Sequence, residues 1–394
     1  MNILVLGTSN SILKNGYLTG VKRALPNATW TNLSSGASPG VQFARYIQMD
    51  FTQFDLVLLD SVPNDEQYGL QTPGYTYNED YKQILFELIS TISSQTRLVV
   101  IGIAVNDFLT KPSAVYRDRE TFSQQANAQF IDFSQALRTY ACQYNEVYSD
   151  HPAHPKPELS QQIGMYLGEA INVHFADLTK SEPSIDFSQH FTVDTAHLNE
   201  ALHPLKTYKN SLKQDTFAQL KPGESIELSH AHSLIGFYVN GFQTNTALEL
   251  VDAKGGSQSA SLFYKRKDNG FLSLFVPLAT YDSVKRIIVT DDSANEFDFK
   301  PRMTRQSRDS DSARLEIGAL IYWKKKKGAN LDAQIAADRP SHLLLNDTIQ
   351  QAVCREVLVA LQTRCHSTTG FSKIKAFFAL AWFKRRFNSK LTTI

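Results

Sequence analysis

Ser9 stands in the run Gly7-Thr8-Ser9-Asn10-Ser11, directly after the apolar residues 3–6. A buried strand that ends in a glycine turn and continues into a helix exposes a small side chain at the strand's carboxyl end. There α/β folds bind ligands and present nucleophiles. A serine nucleophile needs a base, something to hold that base, and donors for the oxyanion. The run Asp150-His151-Pro152-Ala153-His154-Pro155 offers His154 as base with Asp150 as a nearby carboxylate. Gly36, in Asn32-Leu33-Ser34-Ser35-Gly36, lets a backbone N–H approach a substrate closely, and the Ser9 N–H is a second donor. Asn64, in Asp60-Ser61-Val62-Pro63-Asn64-Asp65, carries an amide that can donate as well.

The elements that must position these residues read as an α/β domain over residues 1–175. Continuous apolar strands at 3–6, 54–60 and 97–104 alternate with helical patterns at 12–25, 77–93, 119–142 and 158–171. A short strand is expected at 28–33 and a brief one at 146–148, before the His/Pro loop. Such alternation predicts a flavodoxin-like, three-layer α/β/α fold around a parallel sheet. From 176 to 220 the chain is polar and irregular; short alternating strands with turn signals follow. Residues 176–300 therefore predict a small antiparallel β-sandwich. Residues 301–394 read as a charged linker and a helical, basic extension, with 349–361 amphipathic.

Composition narrows the partners. A net charge of +1 argues against a broad nucleic-acid footprint. Three cysteines, Cys142, Cys354 and Cys365, are too few and too scattered for a disulfide framework or a thiolate zinc site, and no metal is expected. No run reaches the ~18 apolar residues of a spanning helix. Met1 leads straight into the first strand without a basic leader, so the expected location is cytoplasmic.

In their order these blocks resemble the SGNH (GDSL-type) hydrolase and acyltransferase superfamily, over residues 1–175. That family places a serine after its first strand, a glycine after the second, an asparagine after the third, and Asp-x-x-His before its last helix. Gly7-Thr8-Ser9 matches the first block, with Thr8 where the family usually has Asp; Gly36, Asn64 and His154 match the others. The departure is at His151, which stands three residues before His154, leaving Asp150 at four. Either Asp150 orients His154 or the site is a Ser-His dyad. Asp194 and His197 keep the literal Asp-x-x-His spacing and form the alternative base pair. His154 is preferred because it follows a short strand and opens an amphipathic helix, as the family topology requires.

The resemblance implies a serine esterase or O-acetyltransferase with no cofactor beyond acetyl-CoA, the acyl donor a transferase could use. By analogy with proteins that join such a domain to a sandwich, the implied substrate is an O-acyl group on cell-surface polysaccharide. The other reading is a catalytically inactive scaffold whose sandwich binds glycan or a partner in a membrane-associated assembly. Singly, each residue also has a plainer account: Ser9 as a helix N-cap, Asn64 and Gly36 as turn residues, His154 as a loop histidine. Asn106-Asp107 is a second Asn-Asp pair at a strand end and would replace Asn64 if the strand order shifted by one. His230 and His232 share a strand face that could hold a metal but more simply faces solvent, as does the run 324–327. Residues 371–387 mix aromatics with Lys and Arg. They read equally as a helix packed outward-basic on the protein or as one lying on an anionic membrane at its inner face.

Overall fold

The computed structural model describes residues 1–72, 77–181, 190–194, 203–228, 233–265, 270–278, 284–290, 297–305, 313–324 and 344–391. The first sheet is parallel, in the order β2-β1-β3-β4-β5. Its strands are β1 (Asn2–Leu6), β2 (Thr29–Asn32), β3 (Leu56–Leu59), β4 (Arg97–Gly102) and β5 (Gln129–Asp132). The helices of this domain are α1 (Tyr17–Ala24), α2 (Val62–Gln71), α3 (Glu79–Gln95), α4 (Ala114–Gln125), α5 (Phe133–Tyr140) and α6 (Pro157–His174). Ile3–Leu6 and Leu56–Leu59 are fully buried, as strands covered on both faces must be. The chain leaves β1 for one side of the sheet and returns to the other at β3. This reversal opens a crevice beyond the strands' carboxyl ends, between β1 and β3.

Two expectations for this domain need correction. The helix expected at 119–142 is interrupted by β5: α4 ends in a turn with Asn127 at φ 53°, and residues 129–132 cross the sheet before α5. A four-residue strand between two helical periods leaves almost no alternation to detect. The strand expected at 146–148 is reduced to one bridge, Tyr148 to Pro155, at the base of the histidine loop.

The packing of α1 on α6 matters most for the site. A methyl group on Gly20 would lie 2.0 Å from the Gln161 carbonyl oxygen, and one on Gly164 2.0 Å from that of Tyr17. The two helices therefore meet backbone to backbone. One follows the Ser9 turn and the other follows the His154 loop, so this contact sets how far apart those loops stand.

The second part is a sandwich of antiparallel sheets. One sheet runs β13-β10-β15-β8-β7, with β6 also paired to β15; the other runs β12-β11-β14-β9. The strands are β6 (Phe191–Asp194), β7 (Leu205–Lys209), β8 (Gln214–Leu220), β9 (Ser225–Glu227), β10 (Ser233–Asn240), β11 (Asn245–Asp252), β12 (Ser257–Phe263), β13 (Ser273–Pro277), β14 (Val284–Thr290) and β15 (Leu315–Trp323). Strand β15, within the stretch expected to be linker and extension, is a central and wholly buried strand of the sandwich. Strands β7 and β8 lie in the stretch that looked irregular: β7 is a polar, exposed edge strand with no apolar alternation to show, and β8 beside it buries mainly Phe217, Ala218 and Leu220 at one end.

The last helices are α7 (Leu344–Ser367) and α8 (Gly370–Leu391). Helix α7 belongs to the first domain's core through Leu345, Ile349, Val353, Val357 and Leu361. It also closes the open edge of β5. Asn346 Oδ1 accepts from the Asp132 N–H at 3.0 Å, and Gln350 Nε2 donates to the Asp132 carbonyl at 3.2 Å. Backbone groups that an edge strand leaves unpaired are thus satisfied by side chains.

Candidate active site

Ser9 begins a short 3-10 turn at the end of β1, and Thr8 caps that turn. Beneath it lies Asp60, fully buried at the end of β3. One Asp60 carboxylate oxygen accepts from the Thr8 N–H at 3.3 Å, the Thr8 hydroxyl at 2.7 Å and the Ser11 hydroxyl at 3.1 Å. Burial pushes Asp60 up to about 6, against the pull of these donors. Thr8, which looked like a departure from the family block, is the group that fastens the Ser9 turn to the sheet. Asp60 went unnoticed as a site residue because its partner lies 52 positions away in the chain.

The histidine loop arrives from the other side. Asn10 Nδ2 donates to the Ala153 carbonyl at 3.0 Å, and the Asn106 N–H donates to the Pro152 carbonyl at 2.8 Å. With the loop held so, Ser9 Oγ lies 2.9 Å from His154 Nε2. That is hydrogen-bond reach for a nucleophile and its base. The His154 imidazole is pushed down to about 4, by burial first, then by His151 and by Arg302. It is therefore neutral at pH 7, the form a base requires.

Asp150 is exposed, and among the described residues no carboxylate hydrogen-bonds to His154. His151 occupies the neighbouring place instead. Its ring stacks on that of His154, with centroids 4.1 Å apart and planes at 20°. The Ala153 N–H donates to His151 Nδ1 at 3.2 Å, which fixes the first ring. Among the described residues the arrangement is a Ser-His dyad with a stacked second histidine. Of the alternative pair, Asp194 closes β6, paired with Leu320, whereas His197 lies outside the described residues. His230, His232 and residues 325–327 also lie outside them, and Lys324 is exposed.

Gly36 stands beside Ser9: a Cβ placed on it would be 3.5 Å from Ser9 Cβ. The Ser9 and Gly36 N–H groups have no hydrogen-bond partner among the described residues. The adjacent Ala37 holds a left-handed φ of 55°, which strains a residue with a Cβ and turns this loop. Strand β13 of the sandwich grips the same loop. The Ser35 hydroxyl donates to the Ser273 carbonyl at 3.1 Å, and the Phe275 N–H donates to Ser38 Oγ at 2.9 Å. Asn64 lies buried in the first turn of α2, where its amide donates to the Ser38 carbonyl at 2.8 Å and keeps a second hydrogen. Asn106 follows β4 in a 3-10 turn and is exposed.

A buried ion pair supports this side. Arg119 contacts Asp65 at 2.5 Å and donates to Ser61 Oγ at 2.9 Å and Tyr77 OH at 3.0 Å, while Asp65 accepts from the Gly40 N–H at 2.8 Å. Arg302, from the sandwich side, completes the surroundings. Its guanidinium lies 5.6 Å over the Tyr68 ring, its Nη1 is buried without a hydrogen bond among the described residues, and its charge reaches both His151 and His154. Nothing in the local sequence marked it, since it joins the site only through the packing of the sandwich. A cavity of about 310 Å³ opens beside His154, lined by Asn10, Leu13, Lys14, Pro155 and Ser160 among others.

The structure thus sets a serine in hydrogen-bond contact with an imidazole beyond the carboxyl end of β1. The first domain resembles the GDSL lipolytic proteins in fold. A GDSL-family protein from Veillonella parvula is 16% identical, covering 44% of this chain and 98% of its own, with a TM-score of 0.34. An esterase from Pseudoalteromonas, solved with monoethylphosphonate, is 17% identical over 42% of this chain and 92% of its own, with a TM-score of 0.32. The catalytic domain of peptidoglycan O-acetyltransferase A from Streptococcus pneumoniae is 13% identical over 45% of this chain and 90% of its own, with a TM-score of 0.30. No protein-family model matches the sequence, and no curated protein matches it significantly.

Proposed function

We propose that the chain is a serine-dependent esterase or O-acyltransferase acting on O-acyl groups of a polysaccharide. The observation that carries this reading is the 2.9 Å contact between Ser9 Oγ and His154 Nε2 beside two unengaged N–H groups. His154 takes the Ser9 proton as Oγ attacks the acyl carbonyl. The Ser9 and Gly36 N–H groups and the second Asn64 amide hydrogen receive the developing oxyanion. Collapse releases the alcohol, which takes the proton back from His154, and leaves an acyl-enzyme. Water or a sugar hydroxyl then accepts the acyl group, with acetyl-CoA as a donor in the transfer reaction. Arg302, whose Nη1 has no hydrogen-bond partner among the described residues, favours an acidic polysaccharide over a neutral one, because a substrate carboxylate would pair with this half-buried cation.

The test is turnover of p-nitrophenyl acetate, with phosphonate labelling read by mass spectrometry. Ser9→Ala and His154→Ala should each lower turnover by on the order of 10³-fold, and the label should sit on Ser9. Equal background rates in all three proteins would favour the inactive scaffold, a reading supported by the lack, among the described residues, of a carboxylate bonded to His154. Loss of activity in His197→Ala with retention in His154→Ala would move the base to the other pair.

A further inference from the structure

We propose that the outer face of α8 docks the protein onto an anionic lipid bilayer, with the helix lying in the plane of the surface. At roughly 100° per residue, Ala376, Ala379, Leu380, Phe383 and Phe387 form one stripe. That stripe packs inward: Ala376 and Phe383 are buried, and the others rest on the first domain's core. Ile374, Phe377, Phe378, Ala381 and Trp382 follow the spacing i, i+3, i+4, i+7, i+8 on the opposite side. They point away from the protein, with Phe377 62% and Phe378 66% exposed. A helix that is apolar on both sides needs a second cover for the side its own protein leaves bare.

Charge says which cover. Residues 370–391 contain six Lys or Arg and no Asp or Glu, in a chain whose net charge is +1. Helical spacing puts Lys373 and Lys384 along one border of the aromatic stripe and Lys375 and Arg386 along the other. Arg385 leaves the end of the stripe on a stem long enough to reach outward. Arg386 lies 5.0 Å over the Trp382 ring, holding that indole between the apolar stripe and the charged border. Aromatics flanked on both sides by cations match the acyl boundary and phosphate layer of an anionic bilayer. A symmetric contact with a second copy would set these cations against themselves. Among the described residues no helix is long and apolar enough to cross a membrane, so the contact is with the surface.

The full chain should co-sediment with vesicles of mixed phosphatidylglycerol and phosphatidylcholine and not with pure phosphatidylcholine, and the binding should fall as salt rises. The pair Lys384→Gln, Arg386→Gln should weaken partitioning by about 30-fold. The pair Phe377→Ser, Phe378→Ser should weaken it by on the order of 100-fold, with an unchanged melting temperature because both rings are exposed. Trp382 emission should shift to the blue on binding, a shift that Trp382→Phe removes. Equal binding to neutral and anionic vesicles, or no binding by the folded wild type, would overturn the proposal. So would self-association that the Phe377→Ser, Phe378→Ser pair abolishes in a protein that ignores vesicles. None of these readouts depends on Ser9.

Discussion

Gly164→Ala tests whether the glycine contact between α1 and α6 sets the reacting geometry at a distance. The added methyl would stand 2.0 Å from the Tyr17 carbonyl oxygen, against an ordinary contact of 3.4 Å or more, so α1 and α6 must part by about 1.4 Å. Overpacking of this kind costs about 1–3 kcal/mol, and the better helix propensity of alanine returns up to about 1 kcal/mol. The net loss of about 1–2 kcal/mol lowers the melting temperature by roughly 2–8 °C. Because Ser9 precedes one helix and His154 the other, the same movement stretches a 2.9 Å contact beyond hydrogen-bond reach. Misplacement of about 1 Å costs on the order of 100-fold in rate. The assay is p-nitrophenyl acetate turnover beside a thermal melt, with Gly69→Ala as control, since nothing lies within 4 Å of a methyl there. A Gly164→Ala protein with the lower melting temperature and undiminished turnover would refute the reasoning.

Three further outcomes follow from the electrostatics. His154 is held at about 4, and a base works only when neutral, so activity should fall as pH drops through that value. Arg302→Ala, and more strongly His151→Asp, should move this acidic limb upward toward the ordinary histidine range, and His151→Asp should also raise kcat by supplying a carboxylate beside the base. Arg119→Met leaves Asp65 buried without its cation and should cost about 3–5 kcal/mol, read by urea denaturation at pH 7. Glu66, bonded to the Val105 N–H and the Ser113 hydroxyl, is pushed up by burial to about 7. Burial favours its neutral form up to about pH 7. The contribution is therefore complete below pH 4.5 and is lost as pH rises toward and past 7. Glu66→Gln should flatten the pH dependence of the melting temperature across that window.

Much of the first domain was legible because buried parallel strands write themselves as continuous apolar runs. Residues 3–6, 56–59 and 97–102 needed no partner to be recognised. The candidates Ser9, Gly36 and His154 stood out for a related reason: each sits in a turn or loop that follows a strand or precedes a helix, whereas Asn64 falls in the first turn of α2, a helix not expected from the sequence. The elements that escaped notice lacked a local pattern. Strand β5 is too short for a period, and β15 is apolar but isolated between charged stretches, so only its partners β6, β8 and β10 reveal its place.

The site divides in the same way. Residue type and position picked out a candidate nucleophile, a candidate base and three candidate oxyanion donors: the Ser9 N–H, the Gly36 N–H and the Asn64 amide. Which groups stand around them depends on contacts between residues 46 to 238 positions apart, and no local signal encodes those. The chain carries Asp150 beside His154, yet the loop hydrogen bonds from Asn10 and Asn106 present His151 to the ring instead. Asp60 reaches Thr8 only because β1 and β3 are neighbours across the switch in strand order. Arg302 and the grip of β13 on the Gly36 loop exist only because the sandwich packs on the first domain. Side-chain type and loop position are properties of the chain, whereas the charge and hydrogen bonds that tune a base are properties of packing.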